Sequence, residues 1–458
     1  MRNFLAHDKA LLSNVVHLAI PIIVQQLVIT FLNVVSVVMV GQLGETAVAA
    51  LGLANQIFFL MVFVLFGVSS GSAIFVAQYW GQKDIKNIRR ILGIGLTLNL
   101  MSSTLFTLAA VLMPEVLLGI YSTDPAVVTL GSSYLRVVAF SYIMTAITVS
   151  YSATLRSVEQ VKMPMMVSII AVGINAVLSY GLIFGLWGLP QLGVVGAAIA
   201  TCLSRLVECV ILLVFTYGYD LPVAASLAEM FSYDWAFFKK FFTTALPVIF
   251  NEMGWSFGIT TYNIIYARIG TESIAAVNIA ATLEQLAFVI FIGLADSFAI
   301  MIGNKIGAND EATAYDYASK LLVFGIAGAM LMGVIVYSSS NLILNLYNVS
   351  ETAHQYARNI IIAFSLTMWV RVSNLNLCIG ILRSGGDTRY AFIVDIGSIW
   401  LVGVPMAFTG AFILHLPVYW VYLMAISEEF VKFGLWLTRF FSKKWINNLV
   451  QQPALAAA

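Results

Sequence analysis

The sequence predicts an all-α polytopic membrane protein with twelve transmembrane helices in two pseudo-symmetric six-helix lobes. Three observations carry that reading: apolar blocks long enough to cross a bilayer, an internal repeat, and basic residues gathered on alternate loops. Of the 458 residues, 60% are apolar and 10% charged, against roughly a quarter charged in an average soluble domain. Water is therefore not the solvent for most of this surface.

A helix needs roughly 20 apolar residues to cross about 30 Å of hydrocarbon. Blocks of that kind read as helices over 14–40, 47–79, 88–112, 127–152, 162–187 and 192–218, then over 237–266, 273–303, 316–344, 353–381, 389–415 and 417–440. The first block runs on to Val40 behind Arg2, Lys9 and His17, too long for a cleavable signal, so the N-terminus is expected to stay attached. Sorted by loop, Arg2, Lys9, Lys83, Lys86, Arg89, Arg90, Arg156, Lys162, Lys239, Lys240, Lys305, Lys320, Arg383, Arg389, Arg439, Lys443 and Lys444 fall on one side. Arg136, Arg268 and Arg358 fall on the other. The positive-inside rule then puts both termini in the cytoplasm.

Shifting the chain by 226 residues lays Pro21–Asp84 on Pro247–Asp310 without a gap, with 13 of 64 positions identical. Pro21 meets Pro247, Gly44 meets Gly270, Gly67 meets Gly293 and Gly81 meets Gly307. At a shift of 227, Leu155, Arg156 and Ser157 meet Leu382, Arg383 and Ser384. Six spans per copy give both copies one orientation, which predicts a pseudo-two-fold axis along the membrane normal and a path between the lobes. The expected divisions are an N-lobe at 1–218, a polar linker at 219–240, a C-lobe at 241–445 and a tail at 446–458. Duplication that merely builds a large bundle, as in a channel or membrane enzyme, is the alternative.

Cys202, Cys209 and Cys378 have no CxxC spacing, and His7, His17, His354 and His415 are scattered. No disulfide framework or metal site is expected from such a pattern.

The chain resembles the multidrug and toxic compound extrusion (MATE) family over nearly its whole length. The resemblance rests on the early proline of the first span, Met-Val-Gly-x-Leu-Gly at Met39–Gly44, and Gly-Ala-Ala-Ile-Ala-Thr at Gly196–Thr201. It rests also on the repeated Leu-Arg-Ser at 155–157 and 382–384, followed by Lys162 and Arg389. It implies a monomer in the prokaryotic cell membrane, exporting drug-like, often cationic compounds in exchange for inward sodium ions or protons. Many prokaryotic members carry an Asp five residues before the first Gly of that turn and another four residues after an Asn in the fifth helix. Here Ser36 takes the first place, and Ser179 follows Asn175. Ser36, Asn175, Ser179 and Thr201 thus resemble the family's N-lobe cation site with both carboxylates removed, so the coupling centre is expected elsewhere.

Ionisable groups at mid-membrane cost roughly 2.5–3.5 kcal/mol or more, so each asks for a function or a partner. In the repeat alignment Glu252 stands opposite Gln26, Glu284 opposite Phe58 and Asp296 opposite Ser70, which points to the C-lobe. Counted from the outer turn at Gly270, Glu252 and Glu284 lie about 27 and 21 Å down their helices. They are expected to reach one cavity, where like charges favour holding a proton. Arg371 could neutralise either one, which leaves a purely structural ion pair as the alternative. Asp296 and Asp395 are expected near the cytoplasmic end, lining an inner vestibule. Trp255, three residues past Glu252, and Gln26 are candidates for touching the solute. Glu428 with Lys432, and Arg205 with Glu208, stand at spacings that form local salt bridges on one helix face.

These readings favour secondary-active export of organic, probably cationic, solutes by alternating access of the lobes, coupled to protons or sodium ions. Flipping of a polar lipid or lipid-linked headgroup is the nearest alternative; it calls for many basic groups in the cavity, where only Arg371 is available. A membrane-embedded transferase would need clustered aspartates or an HExxH-type metal motif, and a channel would need a repeated filter loop or charged ring. Neither pattern occurs in the sequence. The expected partners are small organic substrates and membrane lipids. No nucleic acid is expected at a net charge of +1, and no cofactor apart from the coupling ion.

Overall fold

The computed structural model describes residues 2–345, 347 and 349–451, so 452–458 of the expected tail lie outside the described residues. Twelve long rods follow one another: α1 (Arg2–Gly41), α2 (Glu45–Gly81), α3 (Ile85–Leu112), α4 (Pro125–Val138 and Phe140–Ser157), α5 (Lys162–Phe184) and α6 (Gly193–Gly218). The second half brings α7 (Trp235–Ile269), α8 (Thr271–Gly307), α9 (Glu311–Leu344), α10 (Glu351–Arg383), α11 (Thr388–Ile413) and α12 (Val418–Phe441). Among the described residues there is no strand. Among the described residues, nine rods are long and apolar enough to cross a membrane, ten with the two pieces of α4 counted as one span. The remaining two, α7 and α12, are 35 and 24 residues long, and α12 carries Glu428, Glu429 and Lys432 near its middle.

The span expected over 127–152 is broken at Ala139, where its two pieces meet at 48°. No proline causes the break. Carbonyls that leave the helical ladder must find donors in a medium without water, and neighbouring helices supply them. Thr107 Oγ1 donates to Ala139 O at 3.0 Å, and the Cys202 thiol donates to Val137 O at 3.1 Å.

The chain forms two compact units: Ile20–Ile249, and Phe250 onward together with the residues up to Ala19. The division thus passes through α1 and α7, beside Pro21 and Pro247, and leaves the whole 219–240 linker inside the first unit. Close packing explains why the start of α7 belongs there. A Cβ on Gly71 of α2 would lie 2.6 Å from Ala245 Cβ, and one on Gly67 would lie 2.8 Å from Ile249 Cα. Such glycine-mediated approach is how helices pack where no hydrophobic force drives them together.

The linker is held rather than slack. Ser226 caps a short helix, Leu227–Met230, through reciprocal bonds with Glu229. Val223 and Met230 are buried, and Arg89 of α3 reaches Glu229 at 2.6 Å. The Ser226 backbone N–H, then Arg89, hold the Glu229 carboxyl below the usual range.

In the second unit, Gly254 and Gly258 of α7 face Ile396 and Ile399 of α11, where a Cβ would come within 2.8 and 2.5 Å of those side chains. Two helices also depart from α geometry. The last turns of α10, Asn376–Arg383, are a π-helix, and α11 contains π segments at Ile399–Gly403 and Thr409–Ile413. Wide turns of this kind gather at functional sites.

Gly71→Val should force α2 away from α7 at the tightest of these contacts and destabilise the fold by about 1–3 kcal/mol, the usual cost of overpacking. A lowered melting temperature of the detergent-purified protein is the expected reading, with Gly52→Val, at a position in open space, melting like the parent.

Candidate functional site

The first unit holds a cavity of about 300 Å³, within the lower range of small-molecule sites. Its apolar wall comes from residues such as Ile29, Leu51, Phe58 and Ile183, and its polar wall mainly from α5 and α6. On α6 the residues Thr201, Ser204, Arg205 and Glu208 recur at three- and four-residue steps, as do Ser168, Ala171, Asn175 and Ser179 along α5. That spacing aligns side chains on one helix face.

Two hydrogen-bonded groups result. Asn175 Nδ2 donates to Ser204 Oγ at 3.0 Å and Thr201 Oγ1 at 3.3 Å, and Ser179 Oγ stands 3.5 Å from Asn175 Oδ1. In the second group, Gln25 Nε2 donates to Ser168 Oγ, which donates to Glu208 Oε1, both at 2.8 Å, while Arg205 Nη1 holds Glu208 Oε2 at 2.7 Å. Tyr142 lines the same cavity, fully buried, and its hydroxyl has no hydrogen-bond partner.

The structure thus brings Ser36, Asn175, Ser179 and Thr201 to one cavity, the grouping inferred from the resemblance. The cavity nevertheless has an acid, at neither of the two places where the carboxylates are missing. Glu208, only 2% exposed, puts a carboxylate in the cavity wall, and the local salt bridge expected for it is present but is not its whole role. The polar stripe on α6 was the available signal. Gln26 is half-buried, and it is its neighbour Gln25 that reaches into the unit.

The second unit concentrates the charges, in an arrangement that corrects the expected acidic pair. Glu252 and Glu284 do not face each other as an unanswered pair of like charges; each has its own arginine. Arg383 Nη1 holds Glu252 Oε1 at 2.6 Å, and Arg371 Nη1 holds Glu284 Oε2 at 3.0 Å. Arg371 therefore answers Glu284 and not Glu252. It lies 5.4 Å from the rings of both Phe288 and Phe364, and Tyr422 bonds the same carboxylate. The sequence places Arg383 among the loop cations and in the repeated Leu-Arg-Ser signature; that it turns inward to an acid is not legible there, because the π-helix over Asn376–Arg383 leaves no mark in the sequence.

Asp395 does not line an inner vestibule. It is buried, with Oδ1 2.9 Å from Lys432 Nζ and Oδ2 accepting from Asn251 Nδ2 at 2.8 Å. Lys432 reaches Glu428 at only 3.5 Å, so Asp395, and not the partner four residues away on α12, is its closest contact. Asp296 is half-buried on α8, and Trp255 is 41% exposed. Cys202, Cys209 and Cys378 are free thiols.

Comparison with known proteins agrees with this plan. The MatE family model matches residues 21–181 and 247–409, one segment in each repeat. The chain is 26% identical over 429 residues to the probable multidrug resistance protein NorM of Bradyrhizobium diazoefficiens, covering 92% of this chain and 91% of that protein. It is 28% identical over 408 residues to the probable NorM of Rhizobium meliloti, covering 86% of each. A MOP superfamily transporter from Pyrococcus furiosus superposes with a TM-score of 0.84 at 20% identity, over 94% of this chain and 96% of that one. The eukaryotic MATE transporter AtDTX14 does so with 0.81 at 17%, over 95% and 97%. These two likenesses establish the fold.

Arg205→Met should leave the buried Glu208 carboxylate without its cation; with Arg205 itself 30% exposed, the loss should fall below the roughly 3–5 kcal/mol of a fully buried pair. The double variant Arg205→Met, Glu208→Met should recover most of that loss. Melting of the three variants beside the parent checks both expectations.

Proposed function

Because the chain belongs to the MatE family, we propose that it is a secondary-active multidrug efflux antiporter, exporting organic, mainly cationic compounds in exchange for protons or sodium ions. On this reading it works as a monomer in the prokaryotic cytoplasmic membrane with both termini inside. It performs no enzymatic reaction and takes no cofactor beyond the coupling ion.

The single observation behind ion coupling is the set of charged side chains inside the spanning helices of the second unit: Glu252, Glu284, Asp395 and Glu428 with Arg371, Arg383 and Lys432. Groups so costly to bury in hydrocarbon mark ion pathways and relays. The cavity of the first unit supplies the other half of the reading. It offers apolar and aromatic surface with a few fixed polar groups, the usual chemistry of a small-molecule site.

The cycle follows from linkage. With the solute site open outward, a proton or sodium ion binds the acidic groups of the C-lobe and weakens the hold on the solute. The lobes then re-orient, the ion leaves to the cytoplasm, and the vacated site accepts another solute. Coupling of this kind requires only that ion and solute favour different states of one protein.

Ethidium export by the protein in proteoliposomes should follow an imposed pH or sodium gradient and stop when the gradients are collapsed. Undiminished net export without any gradient would rule out antiport. Glu252→Gln and Glu284→Gln each leave an arginine without its carboxylate, and gradient-driven export should fall at least tenfold in one or both. Full retention in both variants would remove these two acids from the mechanism.

A further inference from the structure

Around Lys432 the charges do not balance. Its ammonium lies 2.9 Å from Asp395, 3.5 Å from Glu428 and 4.0 Å from Glu429. Among the described residues this is the cation that meets all three acids, so ionising all three would leave two negative charges unanswered. Asp395, Glu428 and Lys432 are each under a tenth exposed.

The three acids are not equally provided for. Asp395 has the short contact to Lys432 and the Asn251 amide. Glu429 is the more exposed, and its Oε2 accepts Asn374 Nδ2 at 2.6 Å. Glu428 has only the long contact to Lys432 as its cation, through Oε1, and its buried Oε2 faces not a charge but the neutral hydroxyl of Tyr262. Tyr262 of α7, 7% exposed, brings its hydroxyl to the same spot, and it and Glu428 Oε2 fill the space that a Cβ on Gly403 of the α11 π segment would need. A buried carboxylate with a distant, shared cation and a second acid beside it is most easily satisfied by a proton.

We propose that Glu428 is the group that carries the exchanged proton, sharing the excess negative charge of the Lys432 cluster with Glu429. This rests on the antiporter reading above and names its coupling ion and seat. A proton arriving from the outer side forms an O–H bond at Glu428 Oε2, and that bond breaks as the proton leaves to cytoplasmic water. Protonation removes one of the two unanswered charges; release restores it. The remaining titratable or charged groups presented by the helices around this one are Tyr266 and Glu252 of α7, Glu284 of α8, Arg371, Cys378 and Arg383 of α10, and Tyr422 of α12. Of these, the four charged groups already form the Glu252–Arg383 and Glu284–Arg371 pairs. The cluster around Lys432 is therefore the one left with a surplus.

The test uses the full chain in proteoliposomes, with ethidium as the exported cation, and compares the parent with Glu428→Gln and Glu428→Asp. The parent should respond to a pH gradient at matched sodium, and its ethidium affinity, read by fluorescence, should weaken about tenfold between alkaline and acidic pH. Glu428→Gln, a permanent mimic of the protonated acid, should lose pH-driven export and bind ethidium with the same affinity at every pH. Glu428→Asp should keep both responses with a displaced midpoint, which a purely structural role would not produce. An unchanged pH profile in Glu428→Gln overturns the assignment while antiport stands. A parent driven by sodium at matched pH, and indifferent to protons, overturns the proton but not the antiporter. A parent that answers to no gradient overturns the reading on which the assignment rests.

Discussion

Hydrocarbon offers a charge no water, and a carboxylate or ammonium placed there must find its counter-charge on another side chain or surrender its charge. Much of the second unit follows from that constraint. Arg383 ties α10 to α7 through Glu252, Arg371 ties α10 to α8 through Glu284, and Lys432 ties α12 to α11 through Asp395. These contacts are struts of the bundle as well as sites of charge. An ion that neutralises one partner loosens a strut, which is how a change in protonation can alter the packing of helices. Among these three clusters, that of Lys432 holds more acids than its cation can answer.

Backbone geometry decides where those side chains meet. A regular helix would carry Arg383 around by 100° per residue from Arg371, whereas the π-helix over Asn376–Arg383 changes that phase and brings the guanidinium to Glu252. The π segment of α11 likewise places Gly403 where Tyr262 and Glu428 converge, and Gly254 and Gly258 let α7 approach α11 closely enough for Asn251 to reach Asp395. Each device exchanges ideal hydrogen bonding or side-chain bulk for one specific meeting of polar groups.

The two units show how one helical plan diverges. In the first, Asn99 of α3 donates to Ser69 and Ser150 of neighbouring helices. Its counterpart at a shift of 226 is Gly325, and there the amide comes instead from Asn376 of α10, whose Nδ2 lies in the room that the glycine leaves. The polar group has changed helices while the contact between them is kept. The first unit also retains its carboxylate by another route. With Ser36 and Ser179 neutral, the acid facing the cavity is Glu208 on α6.

Composition, periodicity and the internal repeat were enough, without coordinates, to require twelve helices in two equivalent sets and to predict that charged groups would concentrate in the second. Residue totals and helix rise settle how long an apolar segment is and how deep a charge lies along it, because both are properties of one helix at a time. They could also group Ser36, Asn175, Ser179 and Thr201 through resemblance. What they could not decide is which carboxylate faces which cation. That depends on the rotation of each helix about its axis, on π turns and on glycine contacts, all set by packing between distant segments. For that reason Glu252 and Glu284, alike in depth along the chain, take separate arginines, and Glu428, a plain local salt bridge by its spacing, stands in the folded protein as the acid without a full partner.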